Sequence, residues 1–342
     1  MPSPRDDVLN LLAGRPIGRL PVFGGLPSLT EPGLKSAGIH FSAAHTDPEL
    51  MARAAATTFE RFGFESAVAP FDLCVEAEAL GVVVDYQTGG ASFLAPVVSQ
   101  PLPVGALQPG GPELAALPGA GRVPLVADAI RRLKAGVGRH VAIGAWIPGP
   151  FTLSWQLFGA EAWLAATVEG DQVAEWLAAL AEALAGVGRR YREAGADFLT
   201  VHDMGGSPQV VGPRAFRRWV KPALARLVAA LPGPVVVSVC GDTNAVVEDL
   251  LACGAGALNV DQRNDLARTR EMTGRRVLLL GNLDPVGVLS QGTPEAVADE
   301  VRRIALAGAD AVWPGCDLWP EIPEENFRAL METARAYGGF AL

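Results

Sequence analysis

Two cysteines share one local setting: each ends an apolar run and enters a turn. Cys240 closes Pro-Val-Val-Val-Ser-Val-Cys-Gly-Asp (234–242), and Cys316 closes Ala-Val-Trp-Pro-Gly-Cys-Asp (311–317). Between them, Asp261 closes Ala-Leu-Asn-Val-Asp-Gln (257–262). If these runs are parallel strands, their ends meet on one rim. Two thiols and a carboxylate there form a thiophilic site, and zinc is the expected occupant. A cysteine that ends a buried strand is by default a small core residue. What argues for chemistry is the pair together with Asp261 on one predicted rim.

The elements that must position these residues alternate in type. Strands are expected at 20–23, 65–69, 141–147, 197–202, 234–240, 257–261, 277–281 and 311–314. Helices are expected near 48–62, 122–134, 171–194, from 213, and at 243–252, 266–273, 294–307 and 324–337. Strands alternating with helices give βαβ units and a parallel sheet. Eight strands make a closed (β/α)8 TIM barrel the leading α/β architecture, with residues 1–18 as an N-terminal helical extension. A doubly wound open sheet is the alternative, but no Gly-x-Gly-x-x-Gly follows a strand. Residues 86–122, rich in Gly and Pro, read as an irregular excursion over the barrel within a single domain spanning 1–342.

Active sites of such barrels lie where strands end. The polar residues at those points are His202, Asp203, Ser238, Cys240, Asp261, Asn282, Asp284, Cys316 and Asp317. Ser238 and Cys240 are two apart on one strand and face the same side. Asp203 and Asp284 are candidate acids, and Asp284-Pro285 is equally a turn signal. Ser238, Asn282 and Asp317 are candidate substrate contacts. Trp146, Trp155, Trp313 and Trp319 are candidates for apolar walls of the mouth, or for simple packing.

The chain has 342 residues, 49% of them hydrophobic and 19% charged, with a net charge of -9. That balance argues against nucleic-acid or anionic-membrane partners. No apolar run is long enough to span a bilayer, and the first residues lack the apolar core of a signal peptide, so a cytoplasmic location is expected. Four cysteines are too few for a disulfide framework. Cys253, at a helix end before Gly254, reads as buried filler.

Several motifs occur together in order: Pro-Phe-Asp-Leu-Cys-Val-Glu-Ala-Glu-Ala-Leu-Gly (70–81), Gly-Pro-Phe-Thr-Leu (149–153), Val-Cys-Gly-Asp-Thr (239–243), Leu-Asn-Val-Asp-Gln (258–262), Gly-Asn-Leu-Asp-Pro (281–285) and Pro-Gly-Cys-Asp (314–317). With these the chain resembles the uroporphyrinogen decarboxylase superfamily, and within it the methylcobamide:coenzyme M methyltransferases. The resemblance implies a (β/α)8 barrel with zinc at its mouth, held by His-x-Cys on one strand and a second Cys near the C-terminus. Cys240 and Cys316 match the thiolates and Asp261 a further carboxylate position. Ser238 stands where the family has histidine, and His202 is the candidate replacement. The implied reaction moves a methyl group from a methyl-corrinoid, carried on a separate corrinoid-binding protein, to a small thiol such as coenzyme M. Three alternatives remain: a decarboxylase-like lyase, a non-thiol acceptor such as a tetrahydropterin, and a non-catalytic barrel. Against the lyase, the segment 19–30 carries one arginine and no aspartate.

Overall fold

The computed structural model describes residues 3–88, 93–103, 105–170, 172–318 and 320–337. Six parallel strands pair in the order β1 (Ser66–Ala69), β4 (Ala142–Pro148), β5 (Phe198–His202), β6 (Val235–Ser238), β7 (Ala257–Val260) and β8 (Leu278–Gly281). The remaining two, β2 (Val83–Asp85) and β3 (Val97–Gln100), form a separate antiparallel hairpin.

The circuit is completed by two short segments. Ala311 bridges to Leu280 of β8, and Val22 bridges to Val312, both in parallel. Glu65 N–H then donates to Val22 O at 3.0 Å, beside β1. All eight expected strand positions thus take part in the ring. Two of them, around Val22 and at 311–314, pair only through isolated bridges, and Pro21 and Pro314 in them lack the N–H that a continuous ladder needs.

Helices fill the connections and start where the sequence signals them. Asp47 accepts from the backbone N–H groups of Glu49 and Leu50 at the head of Pro48–Phe62, and Gly63 ends that helix at φ 75°. The helix expected from 213 is the second half of Pro208–Ala215, which breaks at Gly212. The segment read as irregular holds β3 and a short helix, Pro112–Ala116. No helix among the described residues is long and apolar enough to cross a membrane.

Inward-facing side chains stack in layers. The lower layer contains Phe23, Ala142, Phe198, Val236, Leu280 and Trp313, closed from below by Val8, Leu11 and Leu12 of the N-terminal helix Pro4–Leu12. The inward polar residues Ser238 and Asn259 lie further along the strands, toward the C-terminal rim. Alternation along a strand places Phe198, Thr200 and His202 on this inner face.

The turn after β1 is fixed by a buried charge cluster. Arg122 grips Asp72 through two N–H···O bonds of 2.8 and 2.9 Å, and His45 Nδ1 lies 2.9 Å from the same carboxylate. Nearby, burial and then the Asp72 carboxylate push Glu76 up to about 8. A raised folded-state value stabilises the fold fully below the unfolded value of 4.5, and this contribution is lost as pH rises through about 8. Glu76→Gln, which stays neutral, is therefore expected to be less sensitive to alkali. Unfolding free energies from urea curves at pH 6 and pH 9 should differ less in the variant than in the parent, by on the order of a few kcal/mol. An equal drop in both chains would contradict this.

A thiol–imidazole site at the barrel rim

Three strand ends deliver three donors to one place. The ligand atoms of His202, Cys240 and Cys316 all lie within 4.8 Å of one another. His202 ends β5. Cys240 lies two residues beyond the end of β6, in a turn fixed by Gly241, whose φ is +87° and whose Cβ position would meet Gln209 Oε1 at 2.2 Å. The turn is also held from outside, since Ser207 Oγ–H donates to Cys240 O at 2.6 Å. Cys316 is anchored by the preceding residue, as Gly315 N–H donates to Leu283 O at 2.8 Å.

The two sulfurs are 3.4 Å apart, and Cys240 Sγ is 3.7 Å from His202 Nε2. The Cys316 thiol also lies 3.0 Å from Asp317 Oδ1. These contacts split the two thiols. The hydrogen bond from Cys316 lowers Cys240 against the opposing effect of burial, with His202 adding to the lowering. The same bond to Cys240, with burial, raises Cys316 well above the ordinary thiol range. Burial disfavours a charged His202, but the Cys240 thiolate and the carboxylates of Asp317 and Asp203 outweigh it and raise its pKa.

The donor set suits zinc. Two thiolates and an imidazole are its usual ligands, and three protein donors leave a position open for a substrate. The other expected residues fall elsewhere. Asp261, expected as a further ligand, is not among the three clustered donors. Its Oδ2 accepts Gly241 N–H and its Oδ1 accepts Arg263 N–H, each at 2.7 Å. It fastens the Cys240 turn to the next strand end.

Asp203 is fully buried. Its Oδ1 accepts both N–H and Oγ1–H of Thr152, so it caps the helix Pro150–Phe158 from outside, and burial raises its pKa. Asp284 caps its own turn through the N–H groups of Val286 and Gly287. Asp203 Oδ2 is left buried without a hydrogen-bond partner, and the Asp203 carboxylate favours the charged form of neighbouring His202. Asn282 is fully buried and spans Asn264 O, Asp261 O and Arg303. Ser238 is 1% exposed and lies behind His202, so its hydroxyl does not face the mouth. Of the candidate substrate contacts, only Asp317 is exposed.

Trp146 is buried with its ring 6.1 Å from that of His202, and its Nε1–H donates to Pro70 O at 2.7 Å. Trp313 fills the lower barrel, Trp155 packs against Gly205, and Trp319 lies outside the described residues. One residue of the site had not been singled out: Asn259, bonded to Ser238. It lies two residues before Asp261, so strand alternation alone places it on the inner face.

A family model, uroporphyrinogen decarboxylase (URO-D), matches residues 3–337. The chain belongs to the uroporphyrinogen decarboxylase family. Among family members, it is 28% identical over 340 residues to the methylcobamide:CoM methyltransferase MtaA of Methanosarcina barkeri, covering 96% of this chain and 97% of that one. It is 27% identical over 346 residues to the methylcobamide:CoM methyltransferase MtbA of Methanosarcina acetivorans, covering 98% of each. A solved methyltransferase structure from Methanosarcina mazei superimposes with a TM-score of 0.90 at 28% identity, covering 97% of this chain and 98% of that one.

Proposed function

We propose that this member of the uroporphyrinogen decarboxylase family transfers a methyl group from a methyl-corrinoid, carried on a small partner protein, to a small thiol, with zinc held by His202, Cys240 and Cys316. One observation carries the reading: two thiols and an imidazole converge at the active rim of a chain that has methylcobamide:CoM methyltransferases among its full-length relatives. A coenzyme M-like thiol is the acceptor class that those names suggest.

When bound, zinc supplies the Lewis acidity that removes the proton of a coordinated thiol, which at a free pKa near ~8.5 is mostly protonated at neutral pH. Cys240 and Cys316 would hold zinc as thiolates, and the hydrogen bond between them already favours the ionised form of Cys240. His202 adds a neutral donor. In the transfer the acceptor sulfur attacks the methyl carbon. The S–C bond forms, the Co–C bond breaks, and the electron pair stays on cobalt, which falls from Co(III) to Co(I). The thiol proton leaves to solvent.

The lyase reading has less support. Arg19, the one arginine of the segment 19–30, is paired with Asp7 and Glu65. Glu65 precedes β1, so this arginine lies at the opposite end of the barrel from the thiols.

The test supplies methylcobalamin in place of the partner-borne donor and follows its absorbance with a small thiol, with a tetrahydropterin, and with neither. The expected result is zinc-dependent conversion with the thiol and recovery of the methyl thioether. Conversion with the pterin alone would move the acceptor class. Decarboxylation of uroporphyrinogen without methyl transfer would replace the proposal.

A further inference from the structure

His202, Ser238 and Asn259 occupy matched positions on three adjacent strands, β5, β6 and β7, and all are buried. Their bonding capacities fix the direction of every hydrogen bond among them. The Asn259 Nδ2 group has two carbonyl acceptors, Pro314 O at 3.1 Å and Leu280 O at 3.4 Å. That turns Oδ1 toward Ser238. An amide oxygen only accepts, so Ser238 gives its one hydroxyl proton to it, at 2.7 Å. The serine oxygen is then left as an acceptor for His202 Nδ1, 3.0 Å away. Nδ1 must carry the proton. In the neutral imidazole that proton is the only one, so Nε2 is bare; once the ring is charged, Nε2 carries a proton too and faces Cys240 Sγ as a donor.

The geometry points to Ser238 and Asn259 as positioning residues that hold His202 in its Nδ1–H form and aim the Nε2 lone pair at the Cys240–Cys316 pair. The purpose of that lone pair rests on the zinc reading above; the orientation does not. Neither residue is one of the three clustered donors, so both act through His202. The Trp146 ring, meeting the imidazole edge to face at 78°, restrains its plane. The arrangement makes chemical sense of a serine at the base of a thiol site. As a zinc ligand it would be poor, but as the acceptor behind a histidine it fixes the tautomer and raises the basicity of the nitrogen in front. Partners of this kind change metal affinity by about 10–100-fold.

The test uses the full chain under reducing conditions. Nitrogen-15 spectra of the histidine side chains are recorded without metal, at a pH where His202 is neutral, and zinc affinity is measured by chelator competition. The parent is expected to show His202 in the Nδ1–H form alone. Ser238→Ala is expected to mix the tautomers and weaken zinc binding about 10–100-fold, and Ser238→Thr, which keeps the hydroxyl, to restore both. A merely structural role would lower the unfolding midpoint without moving the tautomer. An Nε2–H form in the parent overturns the proposal, as does a Ser238→Ala protein with unchanged tautomer and zinc affinity. A parent that binds no zinc yet shows the Nδ1–H form removes the metal reading and leaves the positioning of His202 standing. The parent spectrum decides the orientation even if a variant fails to fold.

Discussion

Replacing Cys240 with alanine is expected to lower thiol methylation roughly 10³-fold or more and to strip zinc from the protein. Cys240 touches both other donors, at 3.4 Å to Cys316 Sγ and 3.7 Å to His202 Nε2. Without it, one thiol and one imidazole remain, too few to hold the ion. The acceptor thiol then reverts to its free pKa, and only a few per cent is thiolate at neutral pH. Cys316→Ala should act alike, and the double variant should lose little more than either single one, because the residues work as a unit. The fold should survive. The Cys240 turn keeps its anchors from Ser207 and Asp261, so the unfolding free energy from urea curves should change by no more than about 1 kcal/mol. Methyl transfer at parental rates in the double variant would remove the thiols from the mechanism.

The largest expected effect on stability lies at Arg122. Its guanidinium makes two bonds to Asp72, pairs with Glu78, and sits 5.1 Å above the Tyr86 ring. Asp72 has no solvent of its own; its other partners are His45 and the Cys74 N–H. Arg122→Ala leaves a buried carboxylate short of its main counter-charge, and such losses cost about 3–5 kcal/mol. The pH dependence gives the effect its signature. Burial alone would raise Asp72, but His45 and Arg122 together hold it well below the ordinary carboxylate range. A lowered value gives stability that is fully present above the unfolded value of 3.8 and fades as pH falls toward the folded one. The variant should therefore be weakest relative to the parent at neutral pH, with the gap narrowing in acid. Denaturation curves at pH 7 and near pH 3 check this, and a gap constant with pH would mean that lost packing, not charge, dominates.

The ring of strands was legible because short apolar runs alternate along the chain with longer helical patterns. The hairpin of β2 and β3 was not, since three- and four-residue strands with exposed Val83 and Val97 carry too short an alternation. At the site, the thiols were readable from their position at strand ends. The separation of Asp261 from them was not, because it depends on two backbone N–H groups of neighbouring turns. Asp203 looked chemical for a similar reason: its role is set by Thr152 on another element, 51 residues away in sequence. The role of Ser238 required the register His202–Ser238–Asn259 across three strands, which no single strand encodes.

The central claim is that a metal held by His202, Cys240 and Cys316 takes an acceptor thiol as thiolate. X-ray absorption at the zinc edge tests it most directly, on protein purified without added metal, before and after a saturating small thiol. The account predicts one zinc per chain, bound first by two sulfurs, one nitrogen and one light donor. With thiol present it predicts three sulfurs and one nitrogen, with a proton released. Protein without zinc, or a shell that keeps two sulfurs when thiol is added, would contradict it.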